Sequence, residues 1–557
     1  MRKNLFALFI MLSFILPSAA LARTGTDNDS KSTVTITAEE RKMAEAITAE
    51  QLKDFLYFVA SDEMEGRDTP SRGLDLTAKF IALNLKRWGL KPAGDDGTFF
   101  QKMMIRRDSI DAENTKISIN GKDFVYNKDF YLLGGNGMGS GDLVFAKNGW
   151  LVKSKNIDAF AGVDVKDKIV VLDGIAFSPR GLQPPQGVDV LADLKAETKG
   201  TEWADPMTYA KMKGAKGILI VASPPVQSFW SRMGNFLSRG KMVVEGLDGT
   251  SRNPADSKEE EILPMMLVSE DVGKAIYAGE KTDMSSAFVL NKKANISGIN
   301  KAERIPTQNV VALWEGSDPK LKAEMVAIGA HYDHVGIRPN AEGVDKIWNG
   351  ADDDGSGTVA VLSIAEALSK AKVRPKRSVL FVWHAGEEKG LWGSEYFNKY
   401  PTVDIKNVVA QLNIDMIGRS KKAGDTNPKN KDLSAPDEIY VIGSEMMSST
   451  LGAVTKETNA KFLNMNYNYR YDDPKDTNRF FFRSDHFNYA HNGIPIVFWF
   501  DGVHEDYHGA GDEPQKIDYQ KMEKVTRTIF LTLWEIAQLD KRPAVDKELP
   551  AELTRRN

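Results

Sequence analysis

The stretch from His331 to Asp354 constrains this chain more than any other. It reads H-Y-D-H-V-G, then a polar loop, then G-A-D-D-D-G-S-G. Upstream, Met325 to Ala330 is a short apolar run with β-branched members, the mark of a buried strand. Downstream, Gly355 to Ala371 carries Ala, Leu and Val at helical spacing. Histidine and carboxylate side chains therefore fall in the loop that leaves a strand and enters a helix. In open α/β sheets, ligands and metals bind there.

The available donors narrow the chemistry. The 557 residues include no cysteine, which excludes disulfides, thiolate metal sites and a cysteine nucleophile. A metal site must then use His, Asp and Glu, donors suited to zinc, manganese and cobalt. All seven histidines lie after residue 330, so that part of the chain concentrates the chemistry. With 42% apolar and 27% charged residues the composition is that of a globular protein with a large core. A formal charge of −4 gives no strong field for nucleic acid or an anionic membrane.

Taken in order, residues 1–22 have Arg2 and Lys3, an apolar run from Leu5 to Leu16, and A-L-A at Ala20–Ala22. This is the three-part pattern of a signal peptide, and it implies export to the periplasm or beyond. Residues 23–36 read as a leader. Residues 37–140 open with two helices, Ala38 to Ala60 and Arg72 to Trp88, separated by S-D-E-M-E-G-R, which reads as a capped turn. The run G-G-N-G-M-G-S-G ending at Gly141 has neither dinucleotide-binding nor P-loop spacing and reads as a flexible junction. Residues 141–290 read as short strands with few helices. Within them Pro224 to Glu261 is a long polar excursion. Residues 291–540 alternate strands with helices, which argues a largely parallel sheet covered on both faces. Residues 541–557 form a tail.

Several strand ends in that last part carry metal-ligand types. Ser378 to Trp383 runs into H-A-G-E-E, giving Glu387 and Glu388. Val408 to Ile414 runs into D-M-I-G, giving Asp415. Ile494 to Phe500 runs into D-G-V-H-E-D-Y-H, giving His504 and His508. Strand ends share one rim of a sheet, so residues distant in sequence meet there. Each alone has a structural reading, a cap or a satisfied core histidine; the conjunction is what points to a site. Ser484-Asp485-His486 is not a serine triad, because adjacent residues cannot form that geometry.

Taken together, H-Y-D-H-V-G, A-D-D-D-G-S-G, G-E-E-K-G, N-I-D-M-I-G and D-Y-H-G-A-G-D resemble the co-catalytic di-zinc peptidases of metallopeptidase family twenty-eight, which include bacterial leucyl aminopeptidases and glutamate carboxypeptidase. The resemblance covers roughly residues 305–539. The 141–290 segment resembles the protease-associated domain of exported peptidases. The implied fold is α/β: a zinc-exopeptidase three-layer α/β/α sandwich with a mostly parallel mixed sheet, plus an inserted β-rich domain. The implied cofactors are two Zn2+, one held by His331 and Asp415, the other by Glu388 and His508, with Asp353 bridging. Asp333 is implied to orient His331, and Glu387 to act as general base on a bridging water. A cis bond is expected at Asp353–Asp354. His486 lies where the family often has a residue near the substrate, with binding and structural readings in balance. His334, His384, His491 and His504 read as supporting or surface residues. Tyr467, Tyr469, Tyr471, Phe480, Phe481, Phe482 and Trp499 either line an apolar pocket or form a core face. Y-H-G-A-G-D departs from relatives, which often have Thr or Pro between the His and the Asp.

The resemblance implies peptide substrates and an aminopeptidase. The alternatives are a carboxypeptidase or other amide hydrolase on the same metals, a non-catalytic binding ectodomain, and a metallophosphatase. No nucleic-acid partner and no membrane association after signal cleavage are expected; oligomeric state stays open.

Overall fold

The structure, a computed structural model, describes residues 34–175, 177–178, 181–237, 240–247, 262–281 and 283–554. The expected signal peptide, most of the leader, most of the second half of the 224–261 excursion and the last three residues of the tail lie outside the described residues. Among the described residues no helix is long and apolar enough to cross a membrane.

The principal sheet has ten strands. Nine carry labels here: β1 (Phe100–Ile110), β2 (Lys241–Val244), β3 (Asn300–Trp314), β4 (Met325–His331), β5 (Ser378–His384), β6 (Val408–Ile414), β7 (Glu438–Ile442), β8 (Asn466–Asn468) and β9 (Ile496–Phe500). Their spatial order is β2-β1-β3-β5-β4-β6-β9-β7-β8, with Lys91–Pro92 beside β3. The central strands β5, β4, β6 and β9 run parallel. On one flank β3, β1 and β2 are antiparallel, and on the other β7 is antiparallel to β9. The sheet is thus mixed: its four central parallel strands are the ones followed by histidines and carboxylates, and β7 and β8 form a further parallel pair at the edge.

These central strands read as continuous apolar runs because both of their faces are covered. Val326, Ile328 and Ala330 point into one core, while Met325 and Ala327 point into another. Phe381 and Trp383 alternate with Leu380 and Val382 in the same way. The first core is closed by helices α1 (Ala38–Glu45), α2 (Ala49–Val59), α3 (Arg72–Arg87), α4 (Gly357–Lys370) and, further along the chain, Tyr519–Gln538. The second is closed in part by His486–His491, which contributes Phe487, Tyr489 and Ala490. The result is three layers. The single helix expected over Ala38 to Ala60 is two, because Thr48 caps a new start by accepting from the N–H of Gln51.

A second, seven-stranded sheet lies within the chain between β1 and β3. Phe130–Phe145, Ile169–Leu172, Gly217–Val221 and Ile262–Val268 pair in succession, and Ile262–Val268 also pairs with Phe130–Phe145, closing a ring. The chain enters and leaves through the β1/β3 ribbon, whose register runs from Phe100 opposite Val310 to Ile110 opposite Asn300. The glycine run ending at Gly141 is therefore not a junction: it lies inside one 16-residue strand. Glycine is needed there because backbones approach closely. A Cβ on Gly139 would stand 2.1 Å from the Lys216 carbonyl oxygen. The excursion that starts at Pro224 returns as β2 on the edge of the principal sheet, where Glu245 accepts two hydrogen bonds from Arg304 at 2.7 and 2.6 Å.

Gly139→Ala is therefore expected to destabilise the protein by about 1–3 kcal/mol through overpacking. Gly134→Ala, in the same strand with nothing within 4 Å of the new methyl, is expected to stay within about 0.5 kcal/mol of wild type. Chemical denaturation of both variants checks the contrast.

Candidate metal centre

The C-terminal ends of β4, β5, β6 and β9 meet at one rim. His331 is the last residue of β4 and sits in register with His384, the last of β5. Asp415 follows β6 directly, and Asp501 follows β9. The loop 351–354 crosses above them before α4 begins.

His331 is held in one orientation. Its Nδ1 lies 3.0 Å from the Asp333 carbonyl oxygen and 3.5 Å from that residue's carboxylate. With Nδ1–H donating, Nε2 keeps its lone pair, and it faces Asp353 Oδ1 at 3.3 Å and Asp415 Oδ1 at 3.7 Å. The other Asp353 oxygen, Oδ2, lies 3.1 Å from His508 Nε2, which is also 3.0 Å from Glu388 Oε2. Asp353 thus reaches two donor groups with its two oxygens. Glu387 lies beside them. Its backbone N–H donates to the Asp333 carboxylate, and its side chain lines a pocket with Asp353, Asp415, Met416, Phe480, Arg483, Phe498, Phe500, Val503 and Tyr507. Burial pushes the Glu387 carboxyl well above its usual range, opposed by His331 and reinforced by Glu388, Asp415 and Asp485.

Asp354 also approaches His331 and Asp415 closely enough to share an ion with them. Its oxygens are already engaged, however. They accept from the N–H groups of His331, Gly357 and Met416 at 3.2, 3.0 and 3.1 Å. Asp354 therefore ties β4, α4 and the end of β6 together. The peptide bond Asp353–Asp354 is cis. Asp352 and Asp512 have similar anchoring roles. Asp352 accepts from the N–H of Gly418 and faces His504 at 3.3 Å, and Asp512 accepts from the N–H groups of Asp352 and Asp353.

These anchors leave a specific set of atoms unsatisfied. Asp353 Oδ2, Glu388 Oε1 and both ring nitrogens of His334 are buried without a hydrogen-bond partner among the described residues. Such orphans are costly unless an ion or water serves them. Here they converge with other oxygen and nitrogen donors, a set that fits hard or borderline divalent cations.

Placement of the other sequence candidates varies. His486 is fully buried, stacked on Phe498 with ring centroids 4.5 Å apart and edge-on to Phe481. Burial depresses its pKa to about 3, so it is neutral. His384 faces Asp485 and Tyr489 beneath the rim. His504 packs on Asp352, and His491 is at the surface. Of the aromatic cluster, Phe480 lines the pocket. Trp499 faces away and donates to Tyr467, while its neighbours Phe498 and Phe500 face the pocket, as strand alternation requires.

One residue at this site had no sequence signal. Arg67, fully buried, donates to the carbonyl oxygens of Val59, Tyr332, Asn349 and Gly350. It grips both loops that carry the donors, and Asp333, Asp353, Asp354 and Asp512 offset its charge. A local pattern cannot reveal a guanidinium three of whose four partners lie 265–283 residues away.

The model of peptidase family M28 matches residues 309–533. A probable leucine aminopeptidase 2 from Arthroderma benhamiae is 24% identical over 356 residues, 58% of this chain and 63% of that protein. Leupeptin-inactivating enzyme 1 from Streptomyces exfoliatus is 37% identical over 210 residues, 37% of this chain and 38% of that one. The chain thus spans under two thirds of the length of these relatives. A solved aminopeptidase from Aneurinibacillus sp. strain AM-1 is 16% identical with a TM-score of 0.44, covering 91% of this chain and 97% of that one.

Two outcomes are expected. Arg67→Ala strips four buried carbonyls of their donor, so denaturation should show a loss of at least about 3 kcal/mol, with Arg67→Lys intermediate. His486 binds no proton in the folded state until about pH 3, whereas the unfolded chain binds one below about pH 6.5. The unfolded state then holds more protons in that window, so stability falls as pH falls through it. His486→Leu should make the slope of unfolding free energy against pH shallower between about pH 5 and 6.5, measured by urea titration at several pH values.

Proposed function

We propose, from the premise that residues 309–533 belong to peptidase family M28, that the chain is an exported zinc-dependent exopeptidase, an aminopeptidase that hydrolyses N-terminal peptide bonds. The observation that carries this reading is Asp353, whose two oxygens face two separate donor groups, His331 with Asp415 and Glu388 with His508. The absence of cysteine and the oxygen and nitrogen donor set favour zinc, manganese or cobalt, and the resemblance carried by the sequence motifs implies zinc among them.

His331 and Asp415 would hold one ion, Glu388 and His508 the other, with Asp353 shared. Bound there, two divalent ions polarise a carbonyl and lower the pKa of water toward about 7. The chain's own part is proton traffic and orientation. Glu387, beside the donors but spared from holding an ion, takes a proton from the attacking water on its carboxylate and returns it to the leaving amine. The Asp333 carboxylate fixes the Glu387 backbone, and its carbonyl fixes the His331 ring, so base and donor are set from one residue. Met416, Phe480, Phe498, Phe500 and Val503 give the adjoining pocket an apolar wall beside the carboxylates of Asp353, Glu387 and Asp415, against which an apolar substrate side chain can pack. The β-rich insert, by resemblance a protease-associated domain, and export directed by residues 1–22 belong to the same reading.

A carboxypeptidase is the second reading, favoured by Arg483. Its guanidinium lines the pocket, is exposed, and has Tyr507 as a hydrogen-bond partner, so it is suited to a substrate carboxylate. Peptides blocked at either end separate the two: an aminopeptidase cleaves C-terminally amidated peptides and spares N-acetylated ones, and a carboxypeptidase does the reverse. Glu387→Gln should keep the metal content and lose about 10²–10⁴-fold in kcat. Retention of near-wild-type turnover by that variant would remove Glu387 as the base.

A further inference from the structure

Among the described residues, His334 and His486 are the fully buried imidazoles with no hydrogen-bond partner for either ring nitrogen. Their surroundings differ: His486 faces the rings of Phe498 and Phe481, whereas His334 faces carboxylate oxygen atoms. Its Nδ1 lies 3.0 Å from Glu388 Oε1 and 3.7 Å from Asp353 Oδ2. His508 Nε2 approaches the same two carboxylates from the other side at 3.0 and 3.1 Å. The two imidazoles stand edge to face, with ring centroids 5.6 Å apart.

These are spacings between co-ligands. Donors about 2.0–2.1 Å from a tetrahedral zinc lie about 3.3–3.4 Å from one another. The 3.0 Å approach of His334 to Glu388 does not meet hydrogen-bond geometry, since both atoms remain without a partner. The ring is seated deliberately. The His334 N–H donates to the Arg67 carbonyl oxygen. Gly350, at φ 60°, leaves room for the imidazole, since a Cβ there would come within 2.4 Å of His334 Cγ.

We propose that His334 is a protein ligand of the second ion, joining Glu388, His508 and Asp353. The two halves of the centre then differ: His331, Asp415 and Asp353 on one side, two imidazoles and two carboxylates on the other. This inference rests on the two-ion reading above and adds a ligand to it.

The test is Co2+ titration of the metal-free full-length protein, read by metal stoichiometry and by the visible d–d absorption. Wild type should take up two ions. His334→Ala should keep one ion tightly, which also reports that the chain is folded, and bind the other at least about tenfold more weakly with a changed d–d band. His334→Asp, which restores an oxygen donor, should recover much of the lost affinity. Proton NMR of the Co2+-loaded wild type gives a measurement independent of any variant: three hyperfine-shifted, exchangeable imidazole N–H signals are expected. Two signals, or an unchanged band and affinity in His334→Ala with wild type binding two ions, would overturn His334 as a ligand while leaving the two-ion reading intact. Weaker binding with an unchanged band would also overturn it, making His334 a residue that positions Glu388. Wild type binding fewer than two ions would overturn both.

Discussion

A crowd of buried carboxylates at one sheet rim is the constraint around which this structure is arranged. Asp333, Asp352, Asp353, Asp354 and Asp512 are all within a few per cent of complete burial, with Asp415 close behind. An uncompensated buried charge costs several kcal/mol, so each needs donors or a cation. The fold divides them into two kinds. Asp352, Asp354 and Asp512 spend their oxygens on backbone N–H groups at the ends of β4 and β6 and within the 351–354 loop. Asp353 Oδ2 and Glu388 Oε1 have no hydrogen bond; Asp333 and Asp352 each keep one such oxygen as well, but their other oxygen holds a backbone N–H. The acids tied to backbone N–H groups build the frame, and Asp353 and Glu388 are what the frame presents.

That frame extends beyond the segment matched by the family. Arg67 lies before it, yet its four hydrogen bonds reach Val59 and both donor-bearing loops. The N-terminal helices are therefore part of the centre rather than an appendage. Arg67 also supplies positive charge where Asp333, Asp353, Asp354 and Asp512 gather. On the opposite flank, Arg419 and Lys521 do similar work around Asp506, Asp501 and Asp352.

What was legible in the sequence was what local pattern encodes. The apolar runs of β4, β5, β6 and β9 and the start of α4 could be read, and their shared rim followed from the alternation of strands and helices. The convergence of His331, Asp353, Glu388, Asp415 and His508 was legible because each sits next to such a run. Arg67 was not, because a buried guanidinium satisfied by distant carbonyls looks like a surface residue in a polar turn. His334, read as a supporting or surface residue, is fully buried, and its spacing from His331 says nothing about the Gly350 backbone that makes room for it. The glycine run in Phe130–Phe145 read as a flexible junction because glycine marks both loose chain and close backbone approach. Only the neighbours, the Lys216 carbonyl among them, distinguish the two. Trp499 was left open between pocket and core face, and it takes the core face, since assigning sides along β9 requires knowing which face the rim uses.

The two halves of the centre also differ mechanically. His331 and Asp415 extend directly from β4 and β6, paired strands buried on both faces, so their positions are as rigid as the sheet. Glu388 and His508 sit on loops. His508 has φ 49° and a side chain 35% exposed, against 1% for His331. Its ring stacks on Tyr507, which itself lines the pocket with Glu387 and Arg483. Solvent therefore reaches the centre over the His508 side, and the sheet-borne donors form its floor. Glu387, the proposed base, lines the same pocket as the fixed floor and the open side. In that proposal a bond entering over Tyr507 would meet Glu387 and Asp353 in one pocket, while the strands beneath need not move.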